Sequence, residues 1–360
     1  MAGIPSSENV DILVAGLGPA GARAADIAAQ AGARVLAIDR KKAPGDPVQC
    51  AEFVPAMLRQ DEPDLKDTIA QQILAMRSFV EGQTCDVTED FRGRMIDRQA
   101  FDTALVASAR SHGAVCEFGC QVSEITEEGV VGLSDGRQIS PSILIGADGP
   151  RSKVGAALGL RIEDLVETRQ ITVALKLPHD ATDIFLRADI VGGYAWLFPK
   201  GDLANLGLGV VPSARLQLKP LLTDLHRRLI NEGRVGEKIL YRTGGAIPTG
   251  GITGLQGQLG NVAVVLAGDA AGLTNPITGA GIPAAVLSGS AAGEAAIAYL
   301  AGDQDALPDY DAEMRDLFAA SLDRALQRRR ELLAAHERGN QINATALRRS
   351  WIAYDTYWSA

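Results

Sequence analysis

The sequence predicts an α/β fold in which a parallel sheet is assembled from separated stretches of chain. An antiparallel sheet is inserted between those stretches, and a short helical C-terminus follows. Three observations carry this. Val10 to Ala15, Ser142 to Gly146 and Val262 to Ala267 are nearly unbroken apolar runs, as expected of strands buried on both faces. Each runs into a glycine-containing turn and the start of a helix, the usual way a parallel sheet is wound. Between Leu165 and Ala246 the texture changes to shorter strands, Thr172 to Leu177, Thr182 to Ala188, Gly193 to Pro199 and Leu203 to Val211, interrupted by a helix over Leu216 to Asn231.

Composition removes several classes of function. The chain has 360 residues, 46% of them hydrophobic and 22% charged, which is the balance of a globular protein. A net charge of -9 without a basic stripe argues against a nucleic-acid partner. No uncharged apolar run reaches membrane-spanning length, and Met1 to Val10 lacks a signal pattern, so a cytoplasmic location is expected. Four cysteines, Cys50, Cys85, Cys116 and Cys120, are too few for a disulfide scaffold in a chain this long. Cys116 and Cys120 have a spacing that could hold a metal, but no histidine lies beside them, and reduced thiols without metal are expected.

Taken in order, the first strand leads into Gly16-Leu-Gly18-Pro19-Ala20-Gly21, an Ala-rich helix to Gly32, and a second strand, Arg34 to Ile38, ending in Asp39 and Arg40. This is the Rossmann-like dinucleotide fingerprint in its required context. Gly16 makes the turn, Gly18 admits the pyrophosphate, Gly21 allows close helix packing, and Asp39 meets the ribose. A Pro/Gly-rich loop through Cys50 and Glu52 follows, then a charged helix and strand character over Met76 to Val87. Asp97 is placed to cap a helix spanning Thr103 to His112. Val115 to Ile125, Val130 to Leu133 and Gln138 to Ser140 suggest a small antiparallel group, with an Asp135-Gly136 hairpin turn. At the third apolar strand, Gly268-Asp269 can accept hydrogen bonds from a polyol. The helix beginning near Gly279, Ala280, Gly281 and Ile282 would offer free N–H groups to a flat, anionic ring.

Three motifs in this order, Gly16-x-Gly18-x-x-Gly21, Ala147-Asp148-Gly149 and Gly268-Asp269, resemble the flavoprotein hydroxylase and reductase superfamily over about residues 8 to 300. The resemblance implies one FAD lying across a discontinuous domain (1–72, 98–164 and 247–305), a substrate domain (73–97 and 165–246) and a C-terminal helical segment (306–360). It implies that Asp269 binds the ribityl chain and that Gly279 to Ile282 face the flavin pyrimidine. Arg98 would help hold the cofactor, and Asp148 would secure the fold around it. Two further segments narrow the family. Pro47-Val-Gln-Cys50-Ala-Glu52 and Tyr194-Ala-Trp196-Leu-Phe198-Pro199 are similar to segments of the geranylgeranyl reductases, with Ala51 in place of that family's usual glycine.

Such enzymes saturate isolated C=C bonds of prenyl chains, which implies hydride transfer from reduced FAD, a hydrophobic or lipid substrate, and NAD(P)H or ferredoxin as donor. Cys50 is then the expected catalytic residue, as proton donor or tuner of the flavin, against packing as a small loop side chain. Tyr194, Trp196 and Phe198 alternate along a strand and share one face, either as an apolar wall for the substrate or as core. Trp351, Tyr354 and Trp358 fall near one helical face. The C-terminal arginines suit either a solvated face or peripheral contact with a membrane. Three competing functions share these motifs: a reductase acting on a protein-bound or lipoyl-type group, a flavin monooxygenase, and a flavin-binding partner without turnover.

Overall fold

The computed structural model describes residues 10–56, 66–339 and 342–359. Its main sheet has six strands among the described residues. Strand Ile12–Ala15 lies between Ile143–Gly146 and Val35–Asp39, Val262–Leu266 flanks Ile143–Gly146, and Val115–Phe118 flanks Val35–Asp39, all parallel. An antiparallel edge strand, Gln256–Leu259, completes it. The three apolar runs are its centre, and every residue of Ile12–Ala15, Ile143–Gly146 and Val262–Leu266 is buried, as the sequence pattern requires.

Helix α1 (Pro19–Gln30) follows the fingerprint, and α2 (Arg98–Ser111) starts directly after Asp97, whose side chain accepts the Ala100 N–H at 3.0 Å. The cap is where the sequence puts it, so the helix begins five residues before Thr103. One element differs from expectation. Val115 to Ile125 is not one antiparallel piece. Val115–Phe118 extends the main sheet, and only Val122–Ile125 joins the small sheet with Val131–Leu133 and Gln138–Ile139. Gly119, at φ +78, makes the break. The charged helix after Glu52 falls outside the described residues.

Helix α3 (Lys153–Ala157) leads to the second large sheet, with eight strands among the described residues, built mainly from Leu165–Leu175, Ala181–Leu186, Ala195–Lys200, Leu203–Val210 and Val235–Thr243. Alternation along the strands divides its two faces. Ile171, Val173, Leu197, Leu206 and Leu208 pack beneath Leu222, Leu225 and Leu229 of α4 (Leu218–Asn231), while Ile184, Trp196 and Phe198 point the other way. Trp196 pairs across the strands with Gly207, where an added Cβ would meet the indole ring at 2.4 Å.

The Ala-rich α5 (Ile282–Leu300) returns against α1 so closely that a Cβ at Gly289 would lie 2.2 Å from the Ala20 carbonyl. The long α6 (Ala306–Glu337) follows, then the short α7 (Ala344–Arg349) and α8 (Asp355–Trp358). Trp351, Tyr354 and Trp358 therefore do not share one helix. The turn between α7 and α8 sends them apart: Trp351 is buried, Tyr354 donates its hydroxyl to Asp86 at 2.8 Å, and Trp358 is exposed. No described helix is long and apolar enough to cross a membrane.

Within strand Ala181–Leu186 a fully buried carboxylate, Asp183, is held by Arg77 (Nε to Oδ1, 2.5 Å) and by Arg234. Losing both contacts would leave the carboxylate buried without compensation. His179 stands beside them, its ring nitrogens making no hydrogen bond. Burial, reinforced by the Arg77 and Arg234 charges, lowers its imidazole from 6.5 to about 4. The unfolded chain takes up this proton near the ordinary value. Stability from this site is therefore present above pH ~6.5 and lost as the pH falls toward ~4. The thermal midpoint should drop between about pH 7 and about pH 5, and His179→Gln should remove part of that slope; an identical slope in the variant would exclude His179 as its source.

Candidate functional site

The loops leaving the C-terminal ends of the parallel strands open into a cleft of about 720 Å³. This is where an open α/β sheet places its ligands. Gly16, Gly18, Pro19, Ala20, Asp39 and Arg40 line one end, Gly279, Ala280, Gly281 and Ile282 the middle, and Tyr194, Trp196 and Phe198 the far wall. Cys50, Arg98, Asp148 and Asp269 border the same space, while Gly21 and Gly268 stand behind it. The cleft thus brings together nearly all of the residues singled out from the sequence.

The glycines divide their work. Gly16 adopts φ +100, and a Cβ there would lie 2.2 Å from the Ala147 carbonyl; at Gly21 one would lie 1.9 Å from the Gly16 carbonyl. Both hold backbone against backbone. A Cβ at Gly18 would have nothing within 4 Å, so open space lies where an extended phosphate-bearing ligand would pass. The Asp39 carboxylate is oriented by N–H groups of Leu17 and Lys41, each at 2.8 Å.

Asp269 is deeply set and accepts the Thr274 hydroxyl at 2.6 Å. Burial pushes its carboxyl above the usual range, opposed by Thr274 and by the Arg98 charge. Beside it, α5 begins at Gly281 with no side-chain cap, so its first amides are free for a ligand. Asp148 is occupied differently. It accepts the Ser152 hydroxyl at 2.5 Å and the Lys153 N–H at 2.7 Å, tying the start of α3 to the sheet, and burial raises its carboxyl as well.

The loop carrying Cys50 is fixed by residues that the sequence reading did not single out. Gln170 Nε2 donates to the Cys50 carbonyl at 3.0 Å, and Trp196 Nε1 donates to Gln170 Oε1 at 3.0 Å. Asn205 Nδ2 donates to the Ala51 carbonyl (3.2 Å) and to Glu52 Oε2 (2.8 Å). Glu52 Oε1 accepts from Lys200 Nζ at 2.8 Å and from the Arg98 N–H at 3.0 Å. The Glu52 N–H in turn donates to Cys50 Sγ at 3.2 Å. The signal for Asn205 was present: it is a polar residue inside an otherwise apolar strand, where burial demands a partner. Gln170 gave none, because it follows Glu167, Thr168 and Arg169 in its strand. Arg98 donates to Asp102 at 2.7 Å. Although burial opposes its charge, Asp102 and the Cys50 sulfur hold its guanidinium above the ordinary range.

Beside Cys50 the left-handed residue is Glu52, at φ +68, and Ala51 is not left-handed. Alanine at 51 therefore brings no backbone strain. The aromatic residues form a continuous wall, with ring centroids 5.7 Å apart for Tyr194 and Trp196 and 6.3 Å for Trp196 and Phe198. Trp351 meets Tyr194 edge-on at 4.7 Å, and the Tyr194 hydroxyl donates to the Thr278 carbonyl at 2.6 Å. The C-terminal segment thereby closes one side of the cleft.

Open space at Gly18, acids at two strand tips and an uncapped helix start suit an extended dinucleotide carrying a polyol and an anionic ring. The comparisons agree. An FAD binding domain matches residues 9–184, and the geranylgeranyl reductase catalytic domain matches residues 165–246. A digeranylgeranylglycerophospholipid reductase of Methanocella arvoryzae is 34% identical over 338 residues, 87% of this chain and 85% of that protein. The chain belongs to the geranylgeranyl reductase family. Within this family, digeranylgeranylglycerophospholipid reductase 1 of Methanopyrus kandleri is 31% identical, covering 97% of this chain and 99% of that protein. A geranylgeranyl bacteriochlorophyll reductase-like structure from Thermoplasma acidophilum superposes with a TM-score of 0.80 at 25% identity, covering 95% of this chain and 90% of that one. The geranylgeranyl reductase-like chain is accordingly an FAD-dependent oxidoreductase.

Removing the Glu52 carboxylate takes the acceptor from Lys200 and from the Arg98 N–H, and leaves Asn205 only the Ala51 carbonyl, in a mostly buried setting. Glu52→Ala should lower unfolding stability by about 3 kcal/mol, read from the urea midpoint. A midpoint matching the parent protein would mean that the Cys50 loop is held by other contacts.

Proposed function

We propose that this enzyme saturates C=C bonds in the prenyl chain of a lipid substrate. The observation that carries this reading is the hydrogen-bonded line from Trp196 through Gln170 to the Cys50 backbone, which sets the Cys50 loop against an aromatic wall within one cleft. Reduced FAD, when bound, supplies the hydride at N5 and is left oxidised. The chain's own residues do the rest. Asp39 and Arg40 meet the adenosine end, Gly18 with Pro19 and Ala20 receives the pyrophosphate, and Asp269 takes the ribityl hydroxyls. The free amides at Gly281 and Ile282 draw the pyrimidine edge and its negative charge toward the start of α5.

An isolated alkene develops no oxyanion, so the protein contributes orientation, a water-poor wall and a proton. Tyr194, Trp196 and Phe198 supply the wall. The Cys50 thiol supplies the proton to the alkene carbon that does not receive hydride, and its orientation is set by the Glu52 N–H and by Arg98. NAD(P)H is the donor in this reading, with ferredoxin as the alternative that a reductive half-reaction with each would separate. Exposed Leu317 and Trp358 on the cleft border give a peripheral point of contact with a membrane carrying the lipid.

The test is anaerobic. The yellow protein is reduced, and flavin reoxidation is followed with a geranylgeranylated lipid and, separately, with air. Fast reoxidation by the prenyl compound and slow reoxidation by air are expected; the reverse order would replace the reductase reading with a monooxygenase. Cys50→Ala should keep its flavin and reduce the prenyl compound at least about 100-fold more slowly, and an unchanged rate would return Cys50 to packing. Gly18→Ala should leave the apoprotein's thermal midpoint intact while weakening FAD binding. Asp269→Ala should weaken FAD binding about tenfold or more, and a variant as fully yellow as the parent would remove Asp269 from the cofactor site.

A further inference from the structure

Arg329 is a buried cation that the proposed reaction leaves unused. It is 6% exposed, yet among the described residues its guanidinium donates only to the Gly192 carbonyl and pairs with no carboxylate. It also interrupts a pattern. Leu307, Tyr310, Met314, Phe318, Leu322 and Ala325 are buried positions along one face of α6, and Arg329 comes next on that face, where an apolar residue would be expected. Its neighbour Arg328 is buried for a different purpose, pairing with Glu331 at 3.0 Å and donating to the Tyr357 carbonyl at 3.0 Å. Burial pushes Arg329 down to about 10, only partly offset by the charge of Asp164. An uncompensated guanidinium in such a place is costly unless an anion completes it.

The surroundings match an amphiphile. Arg329 borders the main cleft and, with Tyr194 and Trp351, a smaller pocket beside it. Phe318, Leu322 and Tyr357 give the cleft apolar walls on the α6 side. Two other wall residues hold unused donors: the Thr249 hydroxyl and the Trp351 indole N–H make no hydrogen bond, and both residues are buried. Thr249 lies on the same side, since its N–H donates at 2.8 Å to the carbonyl of Asp164, the acid nearest in influence to Arg329.

We propose that Arg329, supported by Thr249 and Trp351, is the head-group subsite of the cleft and takes the phosphate of an amphiphilic substrate. The planar guanidinium matches two phosphate oxygens at once, which a lysine would not. The substrate's chain then lies along the apolar walls, its head fixed and its double bonds presented to the flavin. This rests on the prenyl-lipid reading above, and the test separates the two.

Dodecyl phosphate and dodecanol are each titrated by calorimetry into the oxidised, FAD-loaded enzyme. The phosphate should bind about tenfold or more tightly than the alcohol. Arg329→Gln should abolish most of that preference, Arg329→Lys should keep part of it, and the isosteric Thr249→Val should reduce it several-fold. Arg330→Gln, one residue along on the exposed face, should leave it unchanged. Equal affinities in the parent enzyme, or a preference surviving in both Arg329→Gln and Thr249→Val, would overturn the subsite. Displacement of dodecyl phosphate by inorganic phosphate at similar concentration would assign the site to a free ion and overturn the head-group role. In turnover, Arg329→Gln should raise KM for geranylgeranyl phosphate more than KM for geranylgeraniol. If the parent enzyme reduces neither compound, the prenyl reading fails, while the calorimetric preference still decides the subsite.

Discussion

Glu52 draws three parts of the chain to one carboxylate that is 7% exposed: its own loop, the strands bearing Lys200 and Asn205, and the first N–H of α2. Everything that approaches Cys50 depends on that convergence. Residue 52 adopts a left-handed conformation, an arrangement that persists where surrounding bonds over-determine it. Gln170 adds a second tether from the same sheet. The Cys50 loop is therefore positioned by the inserted sheet as well as by the segment around α2, and both large sheets contribute to the border of one cleft.

The elements surrounding the cofactor cleft were legible in the sequence because local rules specify them. Burial on both faces writes unbroken apolar strands, a tight turn demands Gly16, and Asp97 must cap a helix. The alternation through Tyr194, Trp196 and Phe198 correctly put the three rings on one side, and Leu197 beneath α4 on the other. What stayed hidden was set by distance along the chain. Glu52 meets Asn205 across 153 residues and Lys200 across 148, and no window of sequence contains such a pair. The C-terminal aromatics were misread for a related reason: spacing alone cannot show that the chain turns between α7 and α8. Backbone dihedrals are likewise not written in residue identity: the left-handed position beside Cys50 is Glu52, not its neighbour Ala51.

The charges inside the molecule fall into two kinds. Asp183 with Arg77 and Arg234, and Arg328 with Glu331, are satisfied within the protein and hold segments together. Asp269 and Arg329 have fewer partners for their burial, the first the Thr274 hydroxyl and the second the Gly192 carbonyl. Both border the cleft.

The pairing of Trp196 with Gly207 has a consequence for the size of molecule the enzyme admits. The indole occupies the room that a side chain at 207 would take, so the depth of the aromatic wall is set from the adjacent strand. Any residue larger than glycine there would press on the indole and displace it, reshaping the channel with every wall residue's identity unchanged. The bore of the cleft is thus controlled at a position outside its lining.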